Sequence, residues 1–150
     1  MALMTHCCQL MIIKPLLAHN FEMQKILKYQ WPAILWSAFV VIMCDIPMSQ
    51  GGTGFFFEGF DKMVHLGFFF VLTVLLFFGK IREQNSYHFR TMTIIKILAI
   101  GVLLGGIIEL LQWKIFTYRS AEWWDLFSDM AGVGMGVFSY LLLHRKERHA

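Results

Sequence analysis

The chain has 150 residues, a length that suits one domain. Apolar residues make up 57% of it and aromatics 16%, and the mean hydropathy is +0.58, too little polar surface for a soluble domain of this size. The net charge is only +3 and the basic residues form no stripe, so nucleic acid is excluded as a partner.

The first 22 residues fit poorly with the rest of the chain. The stretch from Leu10 to Leu17 is too short to span a bilayer and is interrupted by Lys14 and Pro15, so a cleavable signal peptide is not expected there. Met23 opens a short basic lead, Met23-Gln24-Lys25-Ile26-Leu27-Lys28, of the kind that begins a small membrane protein. One reading makes Met23 the initiator. The other makes residues 1–22 an amphipathic segment on the inner membrane surface. The chain is accordingly divided into residues 1–22 and a membrane domain of residues 23–150. Of the cysteines, Cys7, Cys8 and Cys44, none falls in an outer loop and none has zinc-site spacing, so neither a disulfide nor a zinc site is expected. A palmitoylated Cys7-Cys8 pair is a minor alternative.

Beyond this lead lie four apolar blocks, at about Trp31–Met48, Met63–Gly79, Thr91–Phe116 and Trp123–Leu143. Each reaches or approaches the ~20 residues that a helix needs to cross a bilayer core. Only helices satisfy their own backbone groups in lipid, so the expected fold is all-α, a polytopic bundle of four transmembrane helices. Lys14, Lys25 and Lys28 precede the first block, Lys80, Arg82 and Arg90 lie between the second and third, and Arg145, Lys146 and Arg148 end the chain. The other two loops hold Lys62, Lys114 and Arg119 beside acidic residues. The positive-inside rule therefore places both termini in the cytoplasm and the loops Ser49–Phe60 and Thr117–Glu122 outside. Trp31, Trp113, Trp123 and Trp124 fall at block ends, where indole rings favour the interface. Gly51, Gly52 and Gly54 mark the first outer loop as a turn region.

Ionisable groups inside such blocks are costly and face the bundle interior. Here they cluster by depth. Asp61, Lys62 and His65 open the second block, Glu109 and Gln112 close the third, Arg119 and Ser120 lie in the loop, and Asp125 and Asp129 open the fourth. With the deduced topology all stand at the outer end. Asp61 and His65 are four apart, as are Asp125 and Asp129, and Glu109 and Gln112 are three apart, so each pair shares a helix face. Gly132 and Gly136 continue the stripe of Asp125 and Asp129, and Gly101 and Gly105 lead to Glu109, giving two Gly-x-x-x-Gly pairs. These predict a close crossing of the third and fourth helices, with Glu109 turned to Asp125 and Asp129. Grouped carboxylates in low dielectric need cations, and Lys62, His65, Arg119 or a divalent metal can supply them. No bound cofactor is otherwise expected. The plainer reading is a salt-bridged staple, with Asp61 and Asp125 favoured by the helix dipole. Asp45 and Pro47 read as a helix boundary, and Lys96 as a snorkelling side chain.

These segments resemble the VanZ-like family of bacterial membrane proteins. The likeness is carried by Asp61-Lys62-Met63-Val64-His65 with its aromatic run, by Glu109-Leu110-Leu111-Gln112, and by Arg119-Ser120-Ala121-Glu122-Trp123-Trp124-Asp125 with Asp129 and Gly132. Trp31-Pro32 also fits, and Asp129 stands where such proteins often have Asn. The resemblance covers most of the chain from Met23 and implies a multi-helix protein of the cell envelope, in the bacterial cytoplasmic membrane. The family's namesake is linked to teicoplanin resistance, a phenotype that need not pass to every member. The resemblance supplies no molecular activity.

Three functions are open on this sequence. The cluster binds an envelope lipid or a lipid-linked cell-wall component, gripping phosphate through Lys62 and Arg119. Or the protein is an enzyme on a lipid-linked substrate, with His65 or Glu109 as general base and carboxylates holding a metal. Or it is a structural subunit. The chain has no His-Glu-x-x-His, Gly-x-Ser-x-Gly or P-loop motif, which weighs against an enzyme. A small transporter would need the chain to oligomerise, and the sequence does not give its oligomeric state.

Overall fold

A computed structural model of the chain describes residues 2–45, 59–87, 89–114 and 123–144, with side chains from residue 23 onward. Four helices occur in order: α1 Ala2–Asp45, α2 Phe60–Gln84, α3 Thr91–Lys114 and α4 Trp123–Leu143. The described residues contain no strand. The segments Met23–Asp45, Phe60–Gln84, Thr91–Lys114 and Trp123–Leu143 are each long and apolar enough to cross a membrane. The expected all-α, four-span architecture is therefore the observed one.

Helix ends differ from the expected blocks where polar residues continue a helix past its apolar core. α2 begins at Phe60, just after Gly59, whose φ of 93° is a backbone state that glycine enters without strain. It runs on past Gly79 through Lys80 and Glu83, which pair across one turn, and stops at Asn85 in the left-handed region. α1 extends back to Ala2, running through Pro15 and Pro32, each of which removes one ladder donor.

The central seam is formed by α2 and α4, which share the most extensive contact. They run parallel. Lys62 meets Asp125, His65 meets Asp129, Thr73 lies against Gly136 and Phe77 stacks on Tyr140, every pair 63 or 64 positions apart. That constant offset over some four turns is what two parallel helices in fixed register produce. The seam is close because α4 has glycines on it. A Cβ on Gly132 would stand 2.3 Å from the Leu66 carbonyl oxygen, and one on Gly136 would stand 2.7 Å from the Thr73 side chain. Lipid offers no hydrophobic drive between helices, so such van der Waals contact is what holds them together.

This corrects one expectation. Gly132 and Gly136 face α2, not α3. The α3 glycines do face α4: Gly101 lies over Val133, and Gly105 over Asp129 and Leu126. α4 thus uses neighbouring faces for two partners, presenting Gly132 and Gly136 to α2 and Leu126, Asp129 and Val133 to the glycines of α3.

α1 packs on the other side of α2. Trp36 Nε1 donates to the Phe68 carbonyl at 3.0 Å, and Trp36, Phe39 and Phe68 form an aromatic triad. Further along, Gln30 Nε2 donates to the Leu76 carbonyl at 3.3 Å, its side chain filling the notch left by Gly79. At the opposite end of the seam from Lys62, Tyr140 stacks on Phe77 with centroids 4.1 Å apart, and its hydroxyl donates to the Tyr87 carbonyl, fastening the segment that links α2 to α3. Outward-facing Leu35, Leu103, Phe138 and Leu143 are exposed, as a lipid-facing surface requires.

Candidate functional site

The site is built where α2 and α4 begin. Both helices start at the same end of the bundle, so Asp61, Lys62 and His65 come level with Asp125 and Asp129. His65 Nδ1 lies 2.9 Å from Asp129 Oδ1, and both side chains are 1% exposed. The parallel register sets the two residues opposite each other, which makes the contact direct. Lys62 Nζ lies 3.5 Å from Asp125 Oδ1; the lysine is 36% exposed and the aspartate only 3%. The inner pair is closed off and the outer pair opens at the rim.

The spacing puts Asp61 and His65 on one face of α2 and Asp125 and Asp129 on one face of α4. The polar contacts run between those two faces, with Lys62 and His65 of α2 meeting Asp125 and Asp129 of α4. Asp61, His65 and Asp125 group together: each brings one donor atom within 4.8 Å of the others. Asp61 and Asp125 also act on Asp129 through charge. Three carboxylates therefore gather about one imidazole, with one ammonium beside Asp125 at the rim.

α3 contributes from beneath and from the side. Gly105 leaves the room that Asp129 occupies; a Cβ there would stand 2.9 Å from Asp129 Oδ2. Glu109 is one turn further along α3, half-buried, with Oε1 shielded from solvent. Gln112 is fully buried, and its Nε2 donates to the Cys44 carbonyl of α1 at 3.1 Å. It ties α3 to α1 near the end of the bundle. Arg119 and Ser120 lie outside the described residues, as do most of the two loops expected to face outward.

One participant was not expected. Cys44 is buried, and besides accepting from Gln112 its thiol stands beside the His65 ring. Gly105, expected at the crossing of α3 and α4, lies there against α4 and leaves room for the Asp129 carboxylate. The hint available in the sequence was depth: Cys44 and Asp45 end the first block at the level where the other polar residues gather. Asp45 is the last described residue of α1, and it is buried.

The chemistry open to this arrangement comes from the imidazole. With Nδ1 on Asp129, the ring is fixed in orientation, and Nε2 has no hydrogen-bond partner among the described residues. An imidazole held in this way offers Nε2 as a proton acceptor or as a ligand. Lys62, at the rim, is a cation that can swing without disturbing the core.

The sequence matches the model of the VanZ/LLP1 family over residues 6–144, nearly the whole chain. No curated protein matches it, and no solved structure does.

Proposed function

Because the chain belongs to the VanZ/LLP1 family and is a multi-pass membrane protein, we propose that it is a binding protein of the bacterial cell envelope whose polar cluster receives a phosphate-bearing lipid head group. The candidates are an envelope lipid and a lipid-linked cell-wall component, which share that chemistry. One observation carries the reading: Lys62, Asp125, His65 and Asp129 stand together at the starts of α2 and α4, with the lysine exposed at the rim. Ionisable groups at membrane depth are costly and are retained for a purpose. Trp123 and Trp124 are exposed beside them, as anchors at a membrane surface are.

The loop charges support the cytoplasmic membrane as its location, both termini inside, and hence a cluster on the extracytoplasmic face. In the decisive experiment the full chain is purified in mild detergent and its retained lipids are weighed by mass spectrometry. Anionic lipid should co-purify with the natural chain and fall several-fold in Lys62→Ala. Equal retention by both, or none by either, refutes the reading. A link to glycopeptide susceptibility is carried by family resemblance, and a deletion strain scored against teicoplanin tests it.

The second reading, an enzyme acting on a lipid-linked substrate, is favoured by the His65–Asp129 contact, the arrangement that orients a general base. Turnover of a lipid-linked pyrophosphate by the purified chain, abolished in His65→Gln, would establish it over the first.

A further inference from the structure

We propose that Asp61, His65 and Asp125 form a binding site for a divalent transition-metal cation of the Zn2+ or Mn2+ class, with Asp129 holding the imidazole in place from behind. Three observations converge. The three side chains each bring a donor atom within 4.8 Å of the others, the spacing of groups around one ion. His65 is 1% exposed and its Nε2 is without a hydrogen-bond partner among the described residues, whereas its Nδ1 is engaged by Asp129. A carboxylate on the far nitrogen of a ligating histidine is the usual means of fixing the tautomer that presents the other nitrogen's lone pair.

Charge supports a cation. Asp61, Asp125 and Asp129 lie near one another, two of them buried and one partly so, and such a group of carboxylates calls for more positive charge than one half-exposed lysine supplies. Lys62 is the competitor for the same oxygen: its Nζ stands 3.5 Å from Asp125 Oδ1 and turns outward to make room. The donor set decides the kind of metal. One imidazole with two carboxylates suits Zn2+ or Mn2+, while Ca2+ and Mg2+ favour oxygen-only shells.

Three protein ligands leave at least one position open, where a phosphate oxygen can coordinate. That use rests on the head-group function proposed above, whereas the metal site itself stands on geometry alone. It also answers a difficulty of that function, since bare carboxylates repel an anion and a metal bridges the two.

The full-length chain in mild detergent, stripped with chelator, is titrated with Mn2+ followed by electron paramagnetic resonance and with Zn2+ followed by calorimetry. The expected result is one ion per chain at micromolar concentration. Asp125→Asn and His65→Gln should abolish binding, and Asp129→Asn should weaken it about 10–100-fold, as loss of an orienting partner does. Lys62→Met should bind more tightly than the natural chain. Should the ligand variants fail to fold, pulsed resonance on the Mn2+-loaded natural chain must still show coupling to one imidazole nitrogen. No saturable binding, no nitrogen coupling, or unchanged affinity in Lys62→Met overturns the site. Metal binding without lipid retention leaves the site standing and removes the head-group function. Lipid retention that survives chelator and fails only in Lys62→Ala leaves the head-group function standing and refutes a metal bridge to the phosphate.

Discussion

Replacing Gly132 with alanine tests the architecture on which the site depends. The added Cβ would lie 2.3 Å from the Leu66 carbonyl oxygen and 3.1 Å from the Phe70 nitrogen. Both obstacles are backbone of α2, so no side chain can turn aside. Ordinary contact begins near 3.4 Å, and the two helices must therefore separate by roughly 1 Å. A gap of that size forfeits a quarter to a half of each contact along the seam, and overpacking of this kind costs about 1–3 kcal/mol. Alanine also gains about 0.5–1 kcal/mol of helix propensity over glycine, which partly hides the clash. Gly134 supplies the control, because a Cβ there meets nothing within 4 Å. Gly134→Ala should keep the propensity gain alone, and the difference between the two variants isolates the clash. Thermal unfolding in one mild detergent measures it, and Gly132→Ala should melt several degrees below Gly134→Ala. Melting curves that coincide would refute the parallel α2–α4 seam and the register that brings His65 to Asp129.

The same contacts have other consequences. His65→Ala strands the buried Asp129 carboxylate and should cost about 3–5 kcal/mol of stability, whereas Asp125→Asn keeps its shape, relieves repulsion and should change stability by less than about 1 kcal/mol; detergent melts of both variants check the pair. Tyr140→Phe removes the hydroxyl that donates to the Tyr87 carbonyl and should cost about 1 kcal/mol, with faster amide exchange in residues 85–90 by mass spectrometry; unchanged exchange would show that the bond fastens nothing. Single cysteines placed in the segments around Gly52 and Ser120 should react with an impermeant thiol reagent in intact cells, and one near Arg82 should not; the opposite pattern would turn the cluster to the cytoplasm.

Much of the fold can be read in the amino-acid sequence, for a reason particular to membranes. In lipid a backbone must satisfy its own hydrogen bonds, so the length of an apolar block dictates a helix. Thr91 accordingly begins α3 where its block does. The depth of the polar residues is legible too, because helix rise converts sequence position into height. Asp61, Lys62, His65, Asp125 and Asp129 share a level for that reason.

Which helix each residue faces is a different matter. Periodicity puts Asp125, Asp129, Gly132 and Gly136 on one stripe, but a stripe does not name its partner. The partner is chosen by the fit of whole surfaces: Gly132 accepts the Leu66 carbonyl of α2, while Gly105 of α3 accepts the Asp129 side chain. Only packing makes the contacts of Lys62 and His65 run across to α4, and only packing brings Cys44 of α1 to Gln112 and His65. Local spacing determined that there would be four membrane helices with a polar layer at one end. The tertiary structure decided that α2 and α4 would run side by side in parallel, because small residues and backbone carbonyls meet at short range there, and the chemistry of the layer depends on that pairing.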